Sequence, residues 1–127
     1  MKIEHIALYV TDLEGARQFF ETYFAAQANH KYHNPKTGLQ TYFLSFEDGA
    51  RLEIMARPEA VNKNEELYHL GFTHIAFSLG SEEAVRTLTT RLKEAGYRVL
   101  SGPRTTGDGY FESAILAFEG NQLELTV

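Results

Sequence analysis

Four side chains have the types and the spacing to hold one cation: His5, Glu53, His74 and Glu124. They arrive as two pairs. The segment His5-Ile-Ala-Leu-Tyr-Val returns as His74-Ile-Ala-Phe-Ser-Leu, and Gly49-Ala-Arg-Leu-Glu53-Ile returns as Gly120-Asn-Gln-Leu-Glu124-Leu. An internal duplication has thus kept one histidine near the start of each half and one glutamate near its end. Two neutral imidazoles and two carboxylates balance the charge of a divalent ion, and mixed N/O donors suit Zn²⁺, Ni²⁺, Co²⁺, Fe²⁺ or Mn²⁺. Four protein ligands leave two positions of an octahedron for waters, and exchangeable positions are what a catalytic metal needs. Any one of these residues alone would read as a structural histidine or a solvated glutamate; the repeated placement sets the four apart. His30, His33 and His69 have no counterpart in the other half and are expected at the surface.

The elements that must position these residues follow from periodicity. Each half reads as strand, helix, then further strands. Residues 3–10 are apolar and β-rich; Thr11-Asp-Leu-Glu14 predicts a capping box with Thr11 at the N-cap and Glu14 at N3. Leu13, Ala16, Phe20, Tyr23 and Phe24 form the apolar stripe of the following helix. A strand is expected over 27–34, then a hairpin of strands 40–47 and 50–56 turned at Glu47-Asp48-Gly49. In the second half, strand 72–79 leads to a helix capped by Ser81, burying Val85, Leu88, Leu92 and Ala95 and stopped at Gly96. Strands near 97–101, 112–118 and 121–127 complete it, with Gly102–Gly109 as a mobile loop and Thr105–Tyr110 within it as a candidate lid. The expected fold is α+β: a single domain over 1–127, with one βαβββ module at about 1–56, a polar linker at 57–70 and a second module at about 71–127.

Side chains alternate across a strand, which fixes where the four residues point relative to the helices. Ile6, Leu8 and Val10 oppose His5, Ala7 and Tyr9; Ile75, Phe77 and Leu79 oppose His74, Ala76 and Ser78. Leu52 and Ile54 oppose Arg51, Glu53 and Met55; Leu123, Leu125 and Val127 oppose Gln122, Glu124 and Thr126. The aliphatic faces suit the helices. If the two halves curl their helix-free faces inward, all four ligands line one concavity.

Bulk properties narrow the class further. The 127 residues are 43% hydrophobic with nine Phe and seven Tyr, enough for a sizeable core. A net charge of −5 without a Lys/Arg run argues against nucleic acid or anionic membrane as partner. No cysteine is present, which excludes disulfides and thiolate chemistry. The start, Met1-Lys-Ile-Glu-His, has no signal-like apolar region, and no stretch approaches the ~20 apolar residues of a membrane span, so a cytoplasmic protein is expected.

At the His-Ile-Ala strands, the Asp-Leu-Glu that leads into the first helix, and the closing Gly-Asn-Gln-Leu-Glu-Leu, the whole chain resembles the vicinal-oxygen-chelate superfamily. That superfamily contains glyoxalase I, methylmalonyl-CoA epimerases, extradiol dioxygenases, and fosfomycin- and bleomycin-resistance proteins. The resemblance implies paired βαβββ modules, the glyoxalase/bleomycin resistance/dihydroxybiphenyl dioxygenase fold. Dioxygenase and fosfomycin-type sites use two His and one Glu, and the epimerases carry Gln at the place of Glu53. The set His5, Glu53, His74, Glu124 is similar to that of bacterial-type glyoxalase I, which isomerises the hemithioacetal of methylglyoxal and glutathione. It implies one divalent ion per site, Zn²⁺ or Ni²⁺ foremost, with Glu124 as the base and Glu53 as second ligand and candidate partner base. A homodimer is implied too, with sites built within one chain or across two. Two positions depart from glyoxalase I: Tyr9 stands where it often has an Arg for the glutathione carboxylate, and Arg57 where it often has Asn. The substrate is accordingly a thiol–aldehyde adduct or another 2-oxo compound. Arg51, Arg57 and Arg104 are candidates to bind an anionic group of it, and Tyr9 and Tyr42 to line its pocket. An epimerase on a different substrate and a non-catalytic, bleomycin-resistance-type binding protein are the alternatives.

Overall fold

The computed structural model describes residues 1–61 and 71–127. The chain divides into two compact units, Met1–Lys63 and Asn64–Val127. Of the expected linker, 57–61 are described, with a turn in which the Ala60 amide donates to the Arg57 carbonyl at 3.1 Å. The rest of that segment, His69 included, lies outside the described residues.

The first unit contains β1 (His5–Tyr9), α1 (Leu13–Phe24), β2 (Gln27–Ala28), β3 (Tyr32–His33), β4 (Gln40–Ser45) and β5 (Arg51–Ala56). Its strands run in the order β1-β5-β4-β2, with β3 also paired to β4; β1 is parallel to β5 and β4 antiparallel to it. The helix packs on β4 and β5, where Leu44, Leu52 and Ile54 meet Leu13, Ala16, Phe19 and Phe20 in the core. Each such side chain removed from water contributes about 1.5–3 kcal/mol. Phe19 takes the buried place expected for Tyr23 and Phe24, which are only half-buried. Ile6 stays 37% exposed because it sits on the edge strand, beyond the helix. The expected strand 27–34 is broken in two at residues 29–31, where Asn29 bonds to Phe43 through both its amide and its side-chain oxygen.

The start of α1 differs from the capping box. Asp12, not Thr11, is the N-cap: its carboxylate accepts from the Gly15 amide at 2.9 Å. A carboxylate satisfies an orphan N–H and complements the helix dipole, which a threonine hydroxyl does less well. Gly15 makes room for it, since a Cβ there would lie 2.3 Å from Asp12 Oδ2. Glu14 is thereby at N2 and turns to Arg17, Lys31 and Tyr42 instead.

The second unit contains β6 (His74–Ser78), α2 (Glu82–Glu94), β7 (Arg98–Thr105), β8 (Phe111–Leu116), a short 3-10 turn (Phe118–Gly120) and β9 (Gln122–Thr126). The strand order is β6-β9-β8-β7, again with the first strand parallel to the last. Ser81 caps α2 by accepting from the Ala84 amide at 3.1 Å. Gly96 ends it at φ +96°, and the Gly96 and Tyr97 amides donate to the Lys93 and Leu92 carbonyls, the two bonds of a Schellman turn. Val85, Leu92, Ile115, Leu123 and Leu125 form the core. Thr89 is buried with them whereas Ala95 is exposed, because the Thr89 hydroxyl bonds the Val85 carbonyl and Ser113 Oγ, each at 2.6 Å.

The first half of the expected loop Gly102–Gly109 is strand. β7 continues to Thr105 through two register shifts against β8. Gly102 allows this close approach: a Cβ there would sit 2.4 Å from the Glu112 carbonyl oxygen. Only 106–110 remain as a turn, closed by the Thr106 amide on the Tyr110 carbonyl at 2.8 Å and the Gly109 amide on the Thr106 carbonyl at 3.0 Å. Thr105 therefore belongs to a strand, not to a lid.

Candidate metal centre

In the first unit the parallel register places Ala7 beside Glu53 and His5 beside Arg51. His5 and Glu53 are diagonal neighbours on the helix-free face, and the small Ala7 leaves Glu53 free to extend toward the histidine. His5 Nε2 lies 3.9 Å from Glu53 Oε2. In the second unit Ala76 pairs with Glu124 and His74 with Gln122, and His74 Nε2 lies 3.4 Å from Glu124 Oε2. The same diagonal is thus built twice from the same His-Ile-Ala sequence. Both carboxylates are sheltered, at 17% and 19% exposure, beside more open imidazoles at 40% and 33%.

The donor chemistry fits a cation. Two donors each about 2.1 Å from a shared ion and at roughly 90–110° to each other are themselves about 3.0–3.4 Å apart. The His74–Glu124 pair has that spacing, and the His5–Glu53 pair is wider by only about half an ångström, within a side-chain adjustment. Among the described residues, no group of three or more His, Asp or Glu side chains is arranged to hold a metal ion; the structure assembles the donors as two pairs, one in each unit.

Two further acidic residues lie beside these pairs and were not singled out from sequence. Glu4 contacts His5 Nδ1 and, through its other oxygen, accepts from Arg51 Nε at 2.8 Å. These hydrogen bonds, that from His5 first, hold the Glu4 carboxyl below the ordinary glutamate range. Glu112 lies on β8 opposite Thr126, on the face that carries Glu124. Burial holds its carboxyl above the ordinary range; the charge of Glu124 adds to this, and Arg104, its partner in register on β7, opposes it. Adjacency to His5 was the available signal for Glu4. For Glu112 it was the alternation of Phe111, Ser113 and Ile115 into the core, obscured by the polar Ser113.

The candidate substrate residues separate by face. Tyr42 is a correction: it pairs with Ile54, so it shares the helix face, and its hydroxyl donates to Glu14 on α1 at 3.0 Å. Burial, then the Glu14 bond, raises its phenol above the ordinary range. Arg51 shares the face of His5 and Glu53 but is engaged, bonded to Glu4 and stacked 4.2 Å over the Phe43 ring. Tyr9, 47% exposed, continues the His5 face, and Arg57 bonds to both Tyr9 and Glu59, which together raise its already high pKa. Arg104 is exposed beside Glu112. His30 and His33 are exposed, as expected.

A helix on one face of each sheet, a His/Glu pair on the other and the whole unit duplicated define a particular class of α+β protein. Residues 2–125 match the model of the Glyoxalase/Bleomycin resistance protein/Dioxygenase superfamily, and the chain belongs to it. It is 31% identical over 115 residues to the uncharacterized protein YqjT of Bacillus subtilis, covering 86% of this chain and 85% of that protein. A possible glyoxalase from Bacillus cereus is 28% identical with a TM-score of 0.72, over 100% of this chain and 99% of that one. The trypanothione-dependent glyoxalase I of Leishmania major shares the fold at a TM-score of 0.78 and 16% identity, over 99% and 86% of the two chains. Among the described residues no helix is long and apolar enough to cross a membrane.

Proposed function

We propose that this protein is a metal-dependent isomerase of the glyoxalase I type, moving a proton next to a carbonyl in a thiol–aldehyde adduct or related 2-oxo substrate. The twice-built His/Glu diagonal carries the reading, because nothing in the packing of either sheet requires a histidine and a sheltered carboxylate at those two positions. His5, Glu53, His74 and Glu124 would hold one divalent ion, Zn²⁺ or Ni²⁺ by donor type, which supplies Lewis-acid polarisation of substrate oxygens when bound. Glu124 takes the proton from the carbon beside the carbonyl and returns it to the neighbouring carbon, so the product is an isomer and no outside oxidant or reductant is consumed. Glu53 holds its unit's histidine in the matching geometry and serves as the partner base. Arg104, at the open edge of the Glu124 face, meets an anionic group of the substrate.

The test is turnover of methylglyoxal by protein reloaded with Ni²⁺ or Zn²⁺, first with glutathione and then with other small thiols. Product formation supports the reading; no thiol-dependent turnover with either metal sinks it. Tyr9 and Arg57, which hydrogen-bond each other where glyoxalase I would hold glutathione, favour a second reading: the same proton transfer on a different 2-oxo or acyl substrate. Deuterium exchange at the acidic carbon across a substrate panel separates the two.

A further inference from the structure

We infer that Glu4 is a positioning residue that fixes which nitrogen of His5 carries the proton. A carboxylate only accepts hydrogen bonds, so its contact with His5 Nδ1 requires the hydrogen on that nitrogen. In a neutral imidazole the other nitrogen is then a bare lone pair, and Nε2 is the one that faces Glu53 at 3.9 Å. Two acceptors facing each other with no hydrogen between them leave a place for a cation. Glu4 is itself held. Arg51 Nε donates to its second oxygen at 2.8 Å, the Arg51 amide donates to the Glu4 carbonyl at 3.0 Å, and the guanidinium stacks 4.2 Å over Phe43. Phe43 in turn meets the His5 ring edge-on at 5.4 Å. Three side chains, Glu4, Arg51 and Phe43, close a ring with the imidazole, setting both its tautomer and its tilt.

Among the described residues, the duplicated half has no such device. Thr73 precedes His74, and Gln122 stands in register where Arg51 stands beside His5. The two histidines of the repeat are therefore prepared differently, and His74 is an internal control. The purpose assigned to the lone pair rests on the metal reading above; the tautomer itself does not.

The experiment follows from the polarity of the contact. In Glu4→Gln the shape is kept, Arg51 retains the carbonyl oxygen, and the amide NH₂ faces Nδ1 as a donor. Long-range ¹H–¹⁵N correlation spectra of the metal-free full chain, above the histidine titration, should show Nδ1–H at His5 in the parent and Nε2–H in the variant. His74 signals and circular dichroism should not change. Zinc affinity should fall about 10–100-fold, the usual loss when a ligand's orienting partner is removed. A parent His5 protonated on Nε2, a variant that keeps Nδ1–H, or an unchanged zinc affinity would each overturn the inference. A parent that binds no zinc sinks the metal reading instead, and the nitrogen spectra still decide the role of Glu4.

Discussion

Glu124 is the side chain on which the proposed proton transfer turns, and its setting distinguishes it from Glu53. Both are sheltered, both flank an alanine and both approach a histidine; Glu124 has a second carboxylate, Glu112, and an arginine, Arg104, on the neighbouring strands of its own face, whereas the carboxylate and arginine of the first unit, Glu4 and Arg51, gather at the histidine instead. On the proposed mechanism, that environment favours Glu124 over Glu53 as the base. Glu124→Gln keeps the side chain's size and removes its basicity, so kcat for the isomerisation should drop by about 10²–10⁴, the range for loss of a general base. Steady-state kinetics at saturating metal check it; a variant within a few-fold of the parent would assign the base elsewhere. The placement of both glutamates was legible from strand parity alone, because Leu52/Ile54 and Leu123/Leu125 leave the glutamate no other face. Glu4 and Glu112 carried weaker signals, adjacency to His5 and an alternation obscured by Ser113, since a solvent-facing glutamate looks the same in sequence whether or not a charged neighbour lies across the sheet.

At the scale of elements, α1 is tied to its sheet by packing and by two polar devices. Asp12 closes the N-terminus, and its replacement by Ala should cost about 0.5–2 kcal/mol in denaturant unfolding. Thr11→Ala should cost clearly less; the reverse order would restore Thr11 as the cap. Sequence pattern located the helix but not its first residue, since Thr11 and Asp12 are both good caps and only the space that Gly15 leaves decides between them. The second device is Glu14, which accepts from Lys31, Arg17 and Tyr42 and so bridges helix and strand. Its carboxyl is held below the ordinary glutamate range, by the Lys31 bond above all. A carboxyl depressed in the fold stabilises fully above its unfolded value, about pH 4.3, and loses that contribution as pH falls through the lower folded value. The parent should therefore exceed Glu14→Gln in stability near pH 7, by under about 1 kcal/mol for so exposed a network. The difference should close in acid, and melting curves of both proteins between pH 7 and 3 would reveal a pH-independent gap if the bridge is not ionic.

For the whole molecule, the duplication is the fact that organises the rest. The α+β class and the two modules could be read from the sequence because the repeat carries apolar alternation, a helix start and a His/Glu pair together. The broken strand at 29–31 and the extension of β7 could not, because both depend on a neighbouring strand: Asn29 bonds to β4, and Gly102 is pressed against β8. The duplication also limits how metal can bind. Each unit offers one imidazole and one carboxylate, and two donors are too few to hold an ion tightly against water. If the pairs are half-sites of a single centre, binding saturates at one ion per chain, whether the halves come from one chain or from the two chains of a dimer. Independent weak sites would instead give two per chain. Titration of the metal-free protein with zinc, followed by calorimetry and elemental analysis, should reach one equivalent. Glu53→Gln and Glu124→Gln, altered in different units, should each weaken that same single event. At a hundredfold excess over the dissociation constant the bound ion should add about 2.7 kcal/mol to folding stability. That gain should vanish with chelator, and a two-equivalent endpoint with each variant silencing only one binding event would show that the halves act alone.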